Sequence, residues 1–348
     1  MDIFSHALLP YLLGRSFKRN KEEVTAFVLG GIAPDFDIFL MLINAVYPTF
    51  FLLTHRGITH SMFFGFITGT AVLYLASRAR VRASVRKFID FEPVFKMRTV
   101  LFASGGVALH LFLDYVTTLG IPLLYPLSAT RFSAELFFYT DLFLTILSLI
   151  IILVLYSYKN PEQVNASVKF LMPFWTFLKP AVDFVNTSTK FLLIFCVIFA
   201  LLGGLRIVEK DRTMAFIQGN NASVYPTSNP FDWYVLENGN DSIKIFEYNG
   251  SDGTPVYSNT VRKFNIISNS SPDEAIAVAE KLPQVKMFEW RAYAVAINAT
   301  HNGNEWSLEY DDPLARAQTR DAPGIFKGLV KGFGSLNVTV NGSTAVVT

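Results

Sequence analysis

Cysteine is almost missing from this chain, Cys196 being the single one among 348 residues. That excludes an intramolecular disulfide framework and a Cys-rich zinc site. Charge is scarce as well, at 17% against 51% hydrophobic residues, an imbalance that disfavours a wholly soluble protein. The formal net charge is only +2, and the basic residues fall in short segments between apolar runs, so nucleic-acid binding is not expected. No internal repeat or low-complexity segment stands out. A signal peptide is not read either: Ile3 to Gly14 is too short to span, has no basic segment ahead of it and lacks a small-residue cleavage site. It predicts a short helix that stays in the protein.

Apolar length is what the chain has in abundance. Five stretches, 24–46, 57–77, 99–119, 136–158 and 190–208, approach or reach bilayer-spanning length. They predict an all-α polytopic membrane bundle of about five spans plus the N-terminal helix over 1–208, followed by a small α+β extracytoplasmic domain over 209–348. Residues 1–208 carry 18 Lys and Arg against 12 Asp and Glu, whereas 209–348 carry 12 against 16. Arg15, Lys18, Arg19 and Lys21 precede the first long run, Arg78, Arg80, Arg82, Arg86, Lys87, Lys96 and Arg98 follow the second, and 159–190 is basic on balance. The positive-inside rule makes these segments cytoplasmic, and five spans then put the tail of a multi-pass cell-membrane protein outside.

Asn-X-Ser/Thr acceptors at Asn221, Asn240, Asn249, Asn269, Asn298, Asn337 and Asn341 agree with that side and make the tail a candidate for glycosylation, an Asn- and Ser-rich composition being the other source of such triplets. The tail alternates in a strand-like way over 231–250 and 291–310, with Asn-Gly and Gly-Asn turn signals, and 335–347 reads as a hairpin around Asn341-Gly342. Between the first two runs "SPDEAIAVAEKL" reads as a helix capped by Ser271. His301 reads as an exposed loop residue, and the tail shows no catalytic constellation.

The informative residues are polar ones in apolar surroundings. His6, His55, His60 and His110 fall in the first 110 residues, and Asp35, Asp37, Asp114 and Asp141 lie within otherwise apolar segments. An ionisable side chain at the centre of a span costs about 2.5–3.5 kcal/mol on insertion scales, so four carboxylates together call for partners, a wet cavity or a metal. In "GIAPDFDIF", Pro34 predicts a break that turns Asp35 and Asp37 inward; solvated acids at a re-entrant end are the alternative. In "HRGITHS", His55 and His60 flank a loop-to-helix junction where two imidazoles can converge on a metal, although interfacial histidines are ordinary. In "HLFLD", His110 and Asp114 share one helix face, either binding one ion or pairing so that the Asp orients the ring. Asp2 either orients His6 or is a solvated terminus. On the five-span orientation these residues form one layer in the outer half of the membrane, with His6 joining if its helix packs inside.

In order along the chain, "MDIFSH", "GGIAPDFD", "HRGITHS", "HLFLDYVTTLG" with "LLYP", and "TDLFLT" resemble the YdjM family of membrane-bound proteins described as metal-dependent hydrolases. The resemblance covers about residues 1–155, and "NPFDWYVL" is similar to a pattern in the family's tail. It implies that His6, Asp35, Asp37, His55, His60, His110, Asp114 and Asp141 are the family's polar constellation. The family is distantly similar to zinc phospholipase C and the P1-type nucleases, although the N-terminal Trp ligand of that superfamily is not evident here.

The expected function is a membrane-bound hydrolase in which clustered His and Asp hold one or more divalent ions, Zn²⁺ first, and activate water against an ester or phosphoester. His6, His55, His60, His110, Asp114 and Asp141 are the expected metal residues, and Asp35 and Asp37 ligands or the general base. Arg56 is expected to hold an anionic group, because guanidinium matches phosphate. A site in the outer half of the membrane favours membrane lipids as partners and a lipid phosphoester as substrate. The alternative is a proton- or divalent-cation-coupled transporter, since intramembrane Asp and His also serve as relays; the chain shows no inverted repeat of the kind many transporters carry.

Overall fold

The computed structural model describes residues 1–46, 50–87, 89–159, 187–217, 222–250, 253, 255–268, 271–321 and 334–348. It divides into two compact units, Met1–Leu40 with Thr54–Gly203, and Met41–Leu53 with Gly204–Thr348.

The first unit is helical. Helix α1 (Ile3–Ser16) starts where the Asp2 carboxylate accepts the Ser5 N–H, so Asp2 is a buried cap. Helix α2 (Lys21–Ile32) opens with a reciprocal capping box between Asn20 and Glu23. Pro34 then stops regular helix formation, and Ala33–Asp37 tightens into a 3₁₀ turn before α3 (Ile38–Val46). A second 3₁₀ turn, Ile58–His60, leads through the Ser61 cap into α4 (Met62–Ala76). The short α5 (Ala79–Val85) buries none of its side chains, α6 (Met97–Tyr115) carries His110 and Asp114, and α7 is Leu142–Lys159. Helix α8 (Thr187–Phe216) runs from the first unit into the second.

Helices α2 and α6 run side by side and parallel, which brings Asp35 and Asp37, just beyond α2, level with the C-terminal end of α6. Their charged N-terminal ends are tied by Arg98 to Glu23 and Lys96 to Glu22. Further along, glycine permits close approach: a Cβ on Gly30 would strike the Ala103 carbonyl, one on Gly106 the Phe27 carbonyl, and one on Gly31 the His6 carbonyl of α1. An apolar core of Leu8, Leu9, Leu12, Leu113, Leu144, Ile151 and Phe195 holds α1, α6, α7 and α8 together.

The expectation of about five spans is overturned. Two helices are long and apolar enough to cross a membrane, Lys21–Asn44, counted through its 3₁₀ turn, and Thr187–Phe216, or up to three if Met62–Ala76 and Ala79–Val85, bent by 82°, form one span. The other apolar runs are not wholly helix. The run 57–77 spends its start in a 3₁₀ turn and leaves α4 with 15 residues, ~22 Å of rise against ~30 Å of hydrocarbon. The run 136–158 becomes helical only at Leu142, and its apolar helix Leu142–Ser157 is also short. The run 99–119 loses hydropathy to His110 and Asp114 and ends as helix at Tyr115. The outer-half layer, which rested on five spans, falls with them.

The expected small α+β tail is corrected to a β-rich region of two sheets. One is antiparallel in the order β1 (Ala222–Pro226), β2 (Asp232–Asn238), β3 (Ser242–Asn249), β4 (Pro255–Arg262). The other runs β5 (Phe264–Ile267), β6 (Ala296–Asn302), β7 (Glu305–Asp311), β8 (Ser335–Asn341), β9 (Thr344–Val347), with only the β5–β6 pair parallel. Helices Asp273–Ala279 and Pro283–Arg291 make the β5-to-β6 crossover, and Pro313–Asp321 packs Leu314 and Ala317 beneath Tyr234 and Ile245. His301 lies in β6, not in a loop, and stacks on Trp306 at 4.6 Å. Asn221 and Asn269 lie outside the described residues, as does most of 159–190; Asn240, Asn337 and Asn341 are exposed, Asn249 and Asn298 partly so.

Candidate metal centre

Every sequence-predicted site residue except Asp141 converges in the helical unit. Asp35 and Asp37 come from the 3₁₀ turn after α2, His55, Arg56 and His60 from the segment before α4, His110 and Asp114 from one face of α6, and His6 from α1. The donor atoms of the central four are evenly spaced. His60 Nε2 lies 3.1 Å from His110 Nε2, 3.5 Å from Asp35 Oδ1 and 3.3 Å from Asp114 Oδ2. His110 Nε2 lies 3.6 Å from Asp35 Oδ1 and 3.4 Å from Asp114 Oδ2. Ligand bonds of ~2.0–2.2 Å directed to the corners of a tetrahedron separate donor atoms by ~3.3–3.6 Å. These side chains therefore have the spacing of a four-donor cage.

The ring nitrogens facing away from that cage are engaged as those of ligating histidines are. His110 Nδ1 lies 2.7 Å from the Gly31 carbonyl oxygen, which makes this nitrogen the donor and leaves the Nε2 lone pair for the cage. His60 Nδ1 lies 3.3 Å from Asp37 Oδ2 and 3.1 Å from Thr59 Oγ1. Asp37 is a hub: its two oxygens lie 3.0 and 3.1 Å from His55 Nδ1, and Oδ2 accepts the Arg56 N–H at 3.2 Å and the Thr59 hydroxyl at 3.4 Å. Arg56 takes up φ +59°, a left-handed conformation that costs a non-glycine residue about 1–2 kcal/mol. The Asp37 bond to its N–H holds it there.

Arg56 itself is 3% exposed. Its Nη2 donates to Asp114 Oδ1 at 2.8 Å, its Nη1 to the Thr118 carbonyl at 2.6 Å, and its guanidinium carbon lies 4.3 Å from the Tyr139 ring centre. With both terminal nitrogens occupied, its geometry is that of a residue positioning Asp114. Asp114 Oδ1 is also bonded by the Met1 nitrogen, so the carboxylate presents Oδ2 to the cage. His6 stacks on His110 with ring centres 3.7 Å apart, its Nε2 3.4 Å from Asp114 Oδ1, and neither of its buried ring nitrogens makes a hydrogen bond.

An unpaired buried imidazole is costly, and three carboxylates outnumber the cationic groups touching them. A divalent cation would relieve both. The described residues contain three groups able to hold a metal: Asp35, His60 and His110; His6, His110 and Asp114; and Asp37, His55 and His60. Asp141 belongs to none of them. It starts α7, where its Oδ1 accepts the N–H groups of Phe143 and Leu144 at 3.1 and 3.2 Å. The centre opens on one side, since the Asp35 side chain is 18% and the His55 side chain 31% exposed while those of His60, His110 and Asp114 are at most 1%.

Sequence reasoning missed the supports of the centre: the Gly31 carbonyl, Thr59, the Thr118 carbonyl and Tyr139. The available signal was the paired glycines Gly30-Gly31 and Gly105-Gly106, each within two turns of a site residue.

Buried His and Asp donors in the helical unit of a chain with bilayer-length apolar helices define a membrane protein with a metal-capable polar centre. The chain belongs to the YdjM family, whose model, described as YdjM inner membrane protein, matches residues 1–213. That match extends beyond the motifs to take in all of the site and most of α8. No curated protein and no solved structure matches the chain.

Proposed function

We propose that this YdjM-family protein is a membrane-bound metal-dependent hydrolase, with zinc as the resident ion and an ester or phosphoester as substrate. The observation that carries the reading is the even 3.1–3.6 Å spacing of the His60, His110, Asp35 and Asp114 donor atoms. Two imidazoles with two carboxylates suit zinc, and a bound divalent ion supplies Lewis acidity that polarises a substrate oxygen. The chain's own residues do the rest. Deeply buried His60, His110 and Asp114 fix the centre. Asp35, on the open side, is placed to accept a proton from an attacking water. Asp37 orients His60 and His55, and Arg56 holds the second oxygen of Asp114. His55, the most exposed member, is placed to return a proton to the leaving group.

The tail is assigned to the outside of the membrane by charge: the segment 159–190 before α8 is basic on balance, whereas 209–348 carries 12 Lys and Arg against 16 Asp and Glu. The test is hydrolysis of p-nitrophenyl phosphodiester and acyl-ester substrates by zinc-loaded full chain in detergent. Turnover that zinc removal abolishes and that Asp35→Asn lowers by about 100-fold or more is expected. Absence of turnover, together with zinc or proton flux into protein-containing liposomes, would replace hydrolysis with transport.

A further inference from the structure

One cavity lies outside the metal centre and shares its helices. It has a volume of about 270 Å³, its walls are carbon almost throughout, and it is lined by Ala7, Leu8 and Tyr11 of α1, Val28 of α2, and Ile152 and Leu155 of α7. Each of those helices also carries a residue at the level of the polar centre or its supports. On α1, Ala7 directly follows His6. On α2, Val28 precedes Gly31, whose carbonyl holds His110, by three residues. On α7, Ile152 follows by one turn Ser148, whose Oγ bonds Ser5 Oγ of α1 at 2.8 Å. The cavity therefore sits about one helical turn from the polar layer along all three helices.

An apolar cavity of ~150 Å³ accommodates benzene, so this one has room for about ten to twelve hydrocarbon carbons. A water-soluble ester would have no use for it. A polar centre with a dry slot a turn away matches an amphiphile, with its ester group at the metal and its chain in the slot. In a membrane-protein family the abundant amphiphiles are lipids. We infer that the Ala7–Val28–Ile152 cavity is the acyl-chain slot for a lipid ester whose headgroup linkage lies at the His/Asp centre. This rests on the hydrolase reading and narrows it to substrates with a medium or long hydrocarbon chain.

The experiment uses the zinc-loaded full chain in phosphatidylethanolamine–phosphatidylglycerol vesicles. These contain a trace of phosphatidylglycerol bearing a diazirine on an acyl chain of about twelve carbons. Illumination followed by peptide mass spectrometry maps the labels, and zinc is measured on the same samples. Labels are expected on α1 and α7 residues lining the slot, falling about tenfold in Ala7→Phe and Val28→Phe with zinc content unchanged. Labels confined to outward-facing residues such as Leu42 and Phe63, and unaltered in both variants, would overturn the slot while leaving the metal centre standing. Slot labelling in a protein that holds no zinc would overturn the hydrolase reading and leave a lipid-binding cavity. If Ala7→Phe does not fold, Val28→Phe and the wild-type label map decide the matter.

Discussion

Asp37 is the carboxylate whose loss the centre would register without losing a cage donor. It gathers His55, His60, the Arg56 backbone and Thr59 around one side chain, so Asp37→Asn keeps the shape and removes the charge that orients two imidazoles. Zinc affinity is expected to fall about 10–100-fold, read by competition with a chromophoric chelator; unchanged affinity would show that Asp37 does not tune the ligands. Protons compete for the same imidazoles, since a histidine must be neutral to ligate. Zinc occupancy is therefore expected to be high at pH 7.5 and to fall as pH drops through about 6, and a flat titration would argue against histidine ligation. These residues were readable because charge inside an apolar run is conspicuous: His110 and Asp114 sit four apart, and Asp35 and Asp37 follow a proline break. Their division of labour was not. Arg56 read as an anion holder and Asp141 as a ligand, because a sequence does not show that a guanidinium is already held by Asp114 and the Thr118 carbonyl or that a carboxylate caps a helix.

Helix contacts depend on glycine where sequence patterning sees only small residues. A side chain at Gly106 meets the Phe27 carbonyl and the Gly31 nitrogen of α2, whereas one at Gly204 of α8 meets nothing within 4 Å. Gly106→Val is expected to destabilise the helical unit by about 1–3 kcal/mol and to lower zinc occupancy, because the Gly31 carbonyl and His110 move apart. Gly204→Ala is the control and should change neither. Thermal melting with metal analysis reads both, and a Gly106→Val protein with full zinc would show that the close approach does not set the site. The same elements explain why the spans were overcounted. Hydropathy measures apolar length, but a run such as 57–77 is divided between an irregular segment holding His60 and a 15-residue helix. The hairpins of the tail were easier to read, since period-two alternation and Asn-Gly turns are local signals; the separation into two sheets depends on pairing that no local pattern encodes.

For the molecule as a whole, the orientation of α8 decides which side the β-rich tail faces. With Cys196 replaced by serine, reporters Ser343→Cys in the β8–β9 turn and Ser84→Cys in α5 occupy exposed positions. An impermeant maleimide is expected to label Ser343→Cys in intact cells and Ser84→Cys only after permeabilisation; the reverse pattern would place the tail inside. The claim on which the rest depends is that the His/Asp centre holds a metal, and elemental analysis tests it most directly. Detergent-purified full chain is compared with a His60→Ala, Asp114→Ala double variant of matched helical content by circular dichroism. Near-stoichiometric zinc in the wild type, lost in the variant, is the expected result. Equal zinc in the two proteins, or none in either after reconstitution, would contradict it.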